Sequence, residues 1–459
     1  MTSRPWLDSY GTIPTEIDPD IHPSITALAE AAMTRYGGKT AFVSSGQRHS
    51  YTEIDAISRN FCAYLQSMGV RKGDRVGVML PNVVAFPVAM LGIMRAGAVQ
   101  VNINPLCTAS ELQHQLNDSG SKCIVVFGDA LATLAEVVAT TRVRHVIVAG
   151  RPSTGDALGW DARVPDGIEG AVGLPAALRI GSLLPRHPVQ LGGDDLLFLQ
   201  YAGGTTGESK GAALTHRNLV ANTEQLKAFL PQATRECEEV VVTALPLSHI
   251  FGLMVSLLTN FSIGAENWLV RNPHDMNALV DTLKLARPTV FVGGNTLYAG
   301  LTQHPGLAEV DWSRLRLSGA GGAPVDAAMS ARWQAITGSF IREGYGMAET
   351  SPVLSINPPS IEAFSGHTGL PLPSTDIKLL DDDGQEVPFG EQGEVSAKGP
   401  QVMRGYWQQP EANAAAFTED GYFRTGDIGR FDKHGFLQVV GRKEDVGRPQ
   451  PRCAALAPA

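Results

Sequence analysis

The sequence predicts an α/β fold made of two parallel-sheet α/β subdomains followed by a small, mostly β subdomain. Three observations predict it. Between Tyr51 and about Gly150, segments with helical spacing alternate with short apolar runs, and strands joined by helices pair in parallel with both faces covered. The same alternation resumes from Asp195, after residues 151 to 192, whose Gly, Pro, Arg and Asp content reads as an irregular connection. From about Ser365, short strands bounded by turn signals take over. The expected boundaries are 51–192, 193–364 and 365–440 within one large domain spanning 1–440, leaving 441–459 as a stub.

In the first run, Ile54 to Met68 has helical spacing, Arg75 to Leu80 reads as a strand, and Val83 to Ala96 reads as a helix capped by Asn82. Strand Ala98 to Ile103, helix Ser110 to Asp118, strand Cys123 to Phe127, helix Ala130 to Thr141 and strand His145 to Val148 continue it. The second run carries strands near Leu197 to Tyr201, Val240 to Ala244, Thr289 to Val292 and Leu315 to Ser318. In the third, Asp376 to Leu380, Gly393 to Lys398 and Phe436 to Val440 read as strands, with an Asp-Asp-Gly turn at Asp382 to Gly384.

A chain of 459 residues exceeds one ordinary globular core, and 43% apolar with 18% charged residues is the composition of a folded protein. The formal net charge of -9, without any block of Lys and Arg, disfavours a nucleic-acid partner. Cys62, Cys107, Cys123, Cys237 and Cys453 are scattered and form no C-x-x-C pair, which points to a reduced cytoplasmic setting without structural zinc. Met1 to Asp20 lacks a basic segment followed by an apolar one, so no secretory signal is read. The uncharged stretches Gly77 to Met94 and Val240 to Ala265 are broken by Pro81, Asn82 and Pro87, and by Pro246, Ser248 and His249. They read as buried strand and helix, with a peripheral contact at the cytoplasmic membrane face left open.

The richest segment is Tyr201-Ala-Gly-Gly-Thr-Thr-Gly-Glu-Ser-Lys-Gly211, which follows an apolar strand. Its glycines let backbone N–H groups approach a polyphosphate, Thr205 and Thr206 supply hydroxyls, and Lys210 supplies a movable positive charge. It departs from the P-loop, in which Gly-Lys precedes Ser or Thr, because Lys210 follows Ser209 and precedes Gly211. Gly319-Ala-Gly-Gly-Ala-Pro324 fails the dinucleotide pattern at Pro324, which disfavours NAD.

The loop, together with Leu214-Thr-His-Arg-Asn-Leu219, resembles the signature of the adenylate-forming (AMP-binding) superfamily. Leu245-Pro-Leu-Ser-His-Ile-Phe-Gly252, Gly319 to Pro324, Gly344-Tyr-Gly-Met-Ala-Glu-Thr350, Gly421-Tyr-Phe-Arg-Thr-Gly-Asp427 and Gly441-Arg442 follow in that superfamily's order. Trp6-Leu-x-x-Tyr10, Pro14 to Asp18, Val101 to Leu106 and His114 to Gly120 resemble the bacterial long-chain fatty acid CoA ligases within it. The resemblance implies the large N-terminal domain of these enzymes. It also implies a two-step reaction: ATP and a fatty acid give acyl-AMP and diphosphate, and CoA then takes the acyl group to give acyl-CoA and AMP.

By the same resemblance, Thr205, Thr206, Gly207 and Lys210 would hold the outgoing phosphates, Glu349 would ligate Mg²⁺, and Thr350 would hydrogen-bond the α-phosphate. Tyr345 would stack on adenine in a slot lined by Gly321, Gly322, Ala323, Gly344 and Gly346, and Asp427, assisted by Arg442, would accept from the ribose hydroxyls. Alone, Tyr345 would read as a core aromatic, Asp427 as a turn residue and Glu349 as a solvated acid; the motif context decides otherwise. His249 would lie where carboxylate meets phosphate, without acting as a general base, since a carboxylate is already ionised at neutral pH. His216 and Arg217 read as helix-start and packing residues, and Glu208 places a negative charge beside the polyphosphate loop.

Family members continue past Gly-Arg-Lys-x-Asp into a C-terminal α+β lid, which supplies a lysine for adenylation and part of the CoA surface. Here Val446 to Ala459 has no apolar period and reads as an aberrant, disordered tail after a hinge near Glu444 and Asp445. The expectation from sequence is therefore a truncated ligase with impaired thioester formation. The alternatives are a chain that forms only acyl-AMP, and an inactive nucleotide- or acyl-binding module.

Overall fold

The computed structural model describes residues 4–150, 168–201 and 209–445. Three sheets organise them. The first has eight strands, in the spatial order Gly405–Tyr406, Gly211–Thr215, Leu196–Tyr201, Val99–Asn102, Arg75–Met79, Cys123–Phe127, His145–Ala149 and Val172–Gly173. Its strands from Leu196–Tyr201 to Val172–Gly173 pair in parallel. The second has nine strands, running from Leu370–Pro371 through Val353–Ile356, Ile341–Gly346, Leu317–Ala320, Val290–Gly293, Val240–Thr243, Glu266–Leu269 and Thr40–Ser44 to Gln47–Ser50. The third is a four-stranded antiparallel sheet of Asp376–Leu380, Gly393–Lys398, Phe423–Phe431 and Leu437–Arg442.

The sheets do not divide where the sequence was divided. The strands on either side of the glycine-rich segment, Leu196–Tyr201 and Gly211–Thr215, complete the first sheet instead of opening the second. Thr40–Ser44 and Gln47–Ser50, which precede the expected first subdomain, close the far edge of the second. Crossover connections let a parallel sheet recruit strands from distant parts of the chain, so adjacency in space does not follow adjacency in sequence.

Local chemistry accounts for the helices. Reciprocal capping boxes start three of them: Ser50 with Glu53 before Tyr51–Ser67, Thr108 with Glu111 before Ala109–Ser119, and Thr215 with Asn218 before His216–Phe229. The helix Ala85–Arg95 is buried on every face, which explains why its stretch of sequence lacks charge until Arg95. Arg95 is itself paired with Glu30 and Asp55. Asn82 is not the cap of this helix; the N-cap is Val84, and the Asn82 side chain is used elsewhere. Val240–Ala265 resolves into a strand, a π-helix Gly252–Leu258, and a short helix Thr259–Ser262. Among the described residues no helix is long and apolar enough to cross a membrane.

Near the N-terminus, Trp6 stacks on Phe431 with ring centroids 5.3 Å apart, and Tyr10 donates its hydroxyl to the Pro371 carbonyl at 2.6 Å. This segment ties the four-stranded sheet to the edge of the nine-stranded one.

Candidate active site

All three sheets meet at Gly344–Thr350, where the strand Ile341–Gly346 ends and a single 3₁₀ turn, Ala348–Thr350, begins. Gly346 makes the turn feasible, because a Cβ there would lie 1.8 Å from the Pro352 carbonyl oxygen. On one side the Tyr345 hydroxyl donates to Asp427 Oδ2 at 2.6 Å. Arg442, paired across the antiparallel ladder with Asp427, donates to its Oδ1 at 3.1 Å and to the Thr425 carbonyl at 3.2 Å. Burial and the Asp427 charge push the Tyr345 pKa far up, so its hydroxyl stays a donor.

On the other side Glu349 Oε1 accepts from the Tyr406 hydroxyl at 2.8 Å, and the Glu349 carbonyl accepts from the Met403 N–H at 2.7 Å. Tyr406 belongs to the outermost strand of the eight-stranded sheet and pairs with Ala212, which brings its ring beside Lys210, whose Nζ is 5.4 Å from the ring centroid. Among the described residues no three His, Cys, Asp or Glu side chains converge into a metal cage. A half-buried carboxylate with one oxygen already held suits a hard cation that takes its remaining ligands from phosphate and water.

Tyr345 also lines an open apolar cavity of about 90 Å³. Its lining includes Gly321, Gly322, Gly344, Tyr345 and Gly346, together with Leu226, Leu230, Phe251, Val255 and Leu317. His249 lines it as well. Its Nδ1 accepts from the Phe251 N–H at 3.2 Å, which leaves the proton on Nε2. The surrounding protein desolvates the ring and lowers its pKa, although part of the ring faces the open cavity.

The loop carrying His249 belongs to the second sheet and is held from the first. Asn82 donates to the carbonyls of Thr243 at 3.1 Å and Leu245 at 2.8 Å, and its Oδ1 accepts from the Leu247 N–H at 2.8 Å. A buried amide ladder runs from Gln100 to Asn102 to Gln200, whose Nε2 donates to the Ser248 carbonyl at 3.1 Å.

A family model described as AMP-binding enzyme matches residues 29–407. The chain belongs to the AMP-binding enzyme family. It is 43% identical over 454 residues to a long-chain-fatty-acid–CoA ligase of Salmonella typhimurium, a match covering 96% of this chain and 81% of the relative. A Bacillus subtilis protein of the same description is 32% identical, with 97% of this chain and 81% of the relative covered. A solved long-chain-fatty-acid-CoA ligase from Archaeoglobus fulgidus superposes with a TM-score of 0.81 at 26% identity, covering 94% of this chain and 86% of that one.

Among the AMP-binding motif residues, Gly321, Gly322, Gly344, Tyr345, Gly346 and His249 share the cavity, while Asp427 and Arg442 join it through Tyr345. Ala323 is exposed and outside the cavity wall. The Thr350 side chain is fully buried, and its hydroxyl donates to the Pro352 carbonyl at 2.5 Å. Lys210 is exposed beside Tyr406. Thr205, Thr206, Gly207 and Glu208 lie outside the described residues, as does the tail from Val446. His216 opens a helix in a buried position and Arg217 pairs with Asp20, as helix-start and packing residues do. Tyr406, Asn82 and Gln200 were not recognised in the sequence as site-forming. Asn82 did offer a signal, as a lone amide within an uncharged stretch; Tyr406 offered none.

Proposed function

We propose that this AMP-binding enzyme activates long-chain fatty acids, converting ATP, a fatty acid and CoA to acyl-CoA, AMP and diphosphate through acyl-AMP. The observation that carries the proposal is that one cavity is lined both by glycines and Tyr345, suited to a flat base, and by apolar side chains, suited to an alkyl chain. His249 lines the same cavity. The similarity to long-chain-fatty-acid–CoA ligases supports the same substrate class.

In the first step a carboxylate oxygen attacks the α-phosphorus, and the bond to diphosphate breaks with its electron pair leaving on diphosphate. The protein's task is positioning and charge neutralisation. His249 stays neutral near pH 7 and presents Nε2–H to the carboxylate, while its own orientation is fixed through Nδ1. Lys210 neutralises the outgoing phosphates, for which Thr205 and Thr206 supply hydroxyl donors. Asp427, oriented by Tyr345 and Arg442, keeps lone pairs for the ribose hydroxyls. Mg²⁺ held by Glu349 would neutralise phosphate charge. In the second step the CoA thiolate attacks the acyl carbon and AMP leaves. We place this chemistry in the cytoplasm, in keeping with free thiols at Cys62, Cys107, Cys123 and Cys237.

The test is to incubate the 459-residue chain with ATP, Mg²⁺, a long-chain fatty acid and hydroxylamine, with acyl-CoA formation measured in parallel. Acyl hydroxamate is expected, with long chains preferred over aromatic acids. Nucleotide binding without hydroxamate would overturn the adenylation step, and preferential activation of an aromatic acid would overturn the substrate class.

A further inference from the structure

Tyr406 lies outside every motif that marks the nucleotide site, yet it touches both charged groups of the polyphosphate side. Its hydroxyl holds Glu349 Oε1 at 2.8 Å, and its ring lies 5.4 Å from Lys210 Nζ. Among the described residues each of the two is met by Tyr406, and no ion pair joins Lys210 to Glu349. The tyrosine is firmly placed. The Trp407 N–H donates to the Gly211 carbonyl at 2.8 Å, the Arg404 N–H donates to Ala213 at 3.1 Å, and Asn413 clamps Tyr406 by accepting from its N–H at 2.6 Å and donating to its carbonyl at 2.9 Å. A strand-edge residue fixed by its main chain in this way makes a rigid support.

We propose that Tyr406 is a positioning residue that holds Glu349 and Lys210 apart and pre-oriented for a metal-bound triphosphate. The inference rests on the reading of Glu349 as the carboxylate that takes the divalent cation. A direct Lys210–Glu349 pair would consume the cation that phosphate needs and the carboxylate that the metal needs. The aromatic ring offers the ammonium a partner that can be given up when ATP arrives, and the hydroxyl leaves Glu349 Oε2 for the metal.

Two variants separate the two halves of this role. Tyr406→Phe keeps the ring and removes the hydroxyl, whereas Tyr406→Leu removes both. ATP binding is measured by calorimetry in EDTA and again in Mg²⁺, and the Mg²⁺ dependence of hydroxamate formation is followed beside it. Tyr406→Phe is expected to raise the half-saturating Mg²⁺ concentration about tenfold while leaving metal-free ATP affinity unchanged. Tyr406→Leu is expected to weaken metal-free ATP binding as well, by roughly two- to fivefold. A Tyr406→Phe titration superimposing on the unsubstituted protein would overturn the role of the hydroxyl, and metal-free ATP binding equal in the Phe and Leu variants would overturn that of the ring. Glu349→Gln serves as the reference. If it keeps normal Mg²⁺ dependence, the metal role of Glu349 fails; if it loses that dependence while Tyr406→Phe does not, only the role of Tyr406 fails.

Discussion

Tyr345 donates its hydroxyl to Asp427 Oδ2 at 2.6 Å, and this bond joins a strand of the nine-stranded sheet to a strand of the four-stranded sheet. The residue that would stack on adenine therefore also orients the carboxylate that would hold the ribose. Tyr345→Phe keeps the ring and releases Asp427 to Arg442 alone. Urea unfolding is expected to show a loss of about 1.5–3 kcal/mol, the range for a hydrogen bond to a charged group, and ATP KM is expected to rise with little change in the KM for fatty acid. An unchanged ATP KM would separate the two residues' roles.

Glu349 is half-buried on a single 3₁₀ turn and packs little of the core. Glu349→Ala is expected to abolish Mg²⁺-dependent acyl-adenylate formation with a shift in unfolding midpoint corresponding to less than about 1 kcal/mol. Normal hydroxamate rates in this variant would remove the metal role.

Asn82 makes three hydrogen bonds to the main chain between Thr243 and Leu247, all from the first sheet to the second. Asn82→Ala leaves buried carbonyls and an N–H without partners, and a loss of about 2–4 kcal/mol in chemical denaturation is expected. Because the same loop presents His249, the KM for fatty acid is expected to rise in parallel. Gln200→Ala, acting on Ser248, should move the same parameter more weakly.

Glu343 neighbours the nucleotide wall, and burial raises its pKa to about 7, with backbone hydrogen bonds from Val325 and Gly366 only partly opposing the shift. Its Oε2 is buried without a partner. An acid whose pKa is higher folded than unfolded binds more protons in the native state, so its contribution is full below about 4.5 and is lost as pH rises through about 7. The unsubstituted protein is therefore expected to lose stability relative to Glu343→Gln between those pH values. Thermal midpoints measured across pH 4.5 to 8 check this; parallel curves would count against it.

The order of elements and the motif residues around the cavity were legible along the chain, because apolar periodicity, capping residues and glycine-rich turns are local properties. Arg75–Met79 and Cys123–Phe127 fall within a residue of where their apolar runs place them. Partnership in space was not legible. Nothing between residues 193 and 215 marks the loop's strands as belonging to the first sheet, and Gly405–Tyr406 is too short to show a period.

The sequence alone determined which family the chain belongs to, since the motif residues occur as contiguous words. Tertiary structure alone decided which of those residues face the cavity, turning the Thr350 hydroxyl inward and bringing Tyr406 between Lys210 and Glu349. The reason is that a side chain's direction depends on strand pairing and on competing backbone acceptors, and both are set by residues far away in the chain.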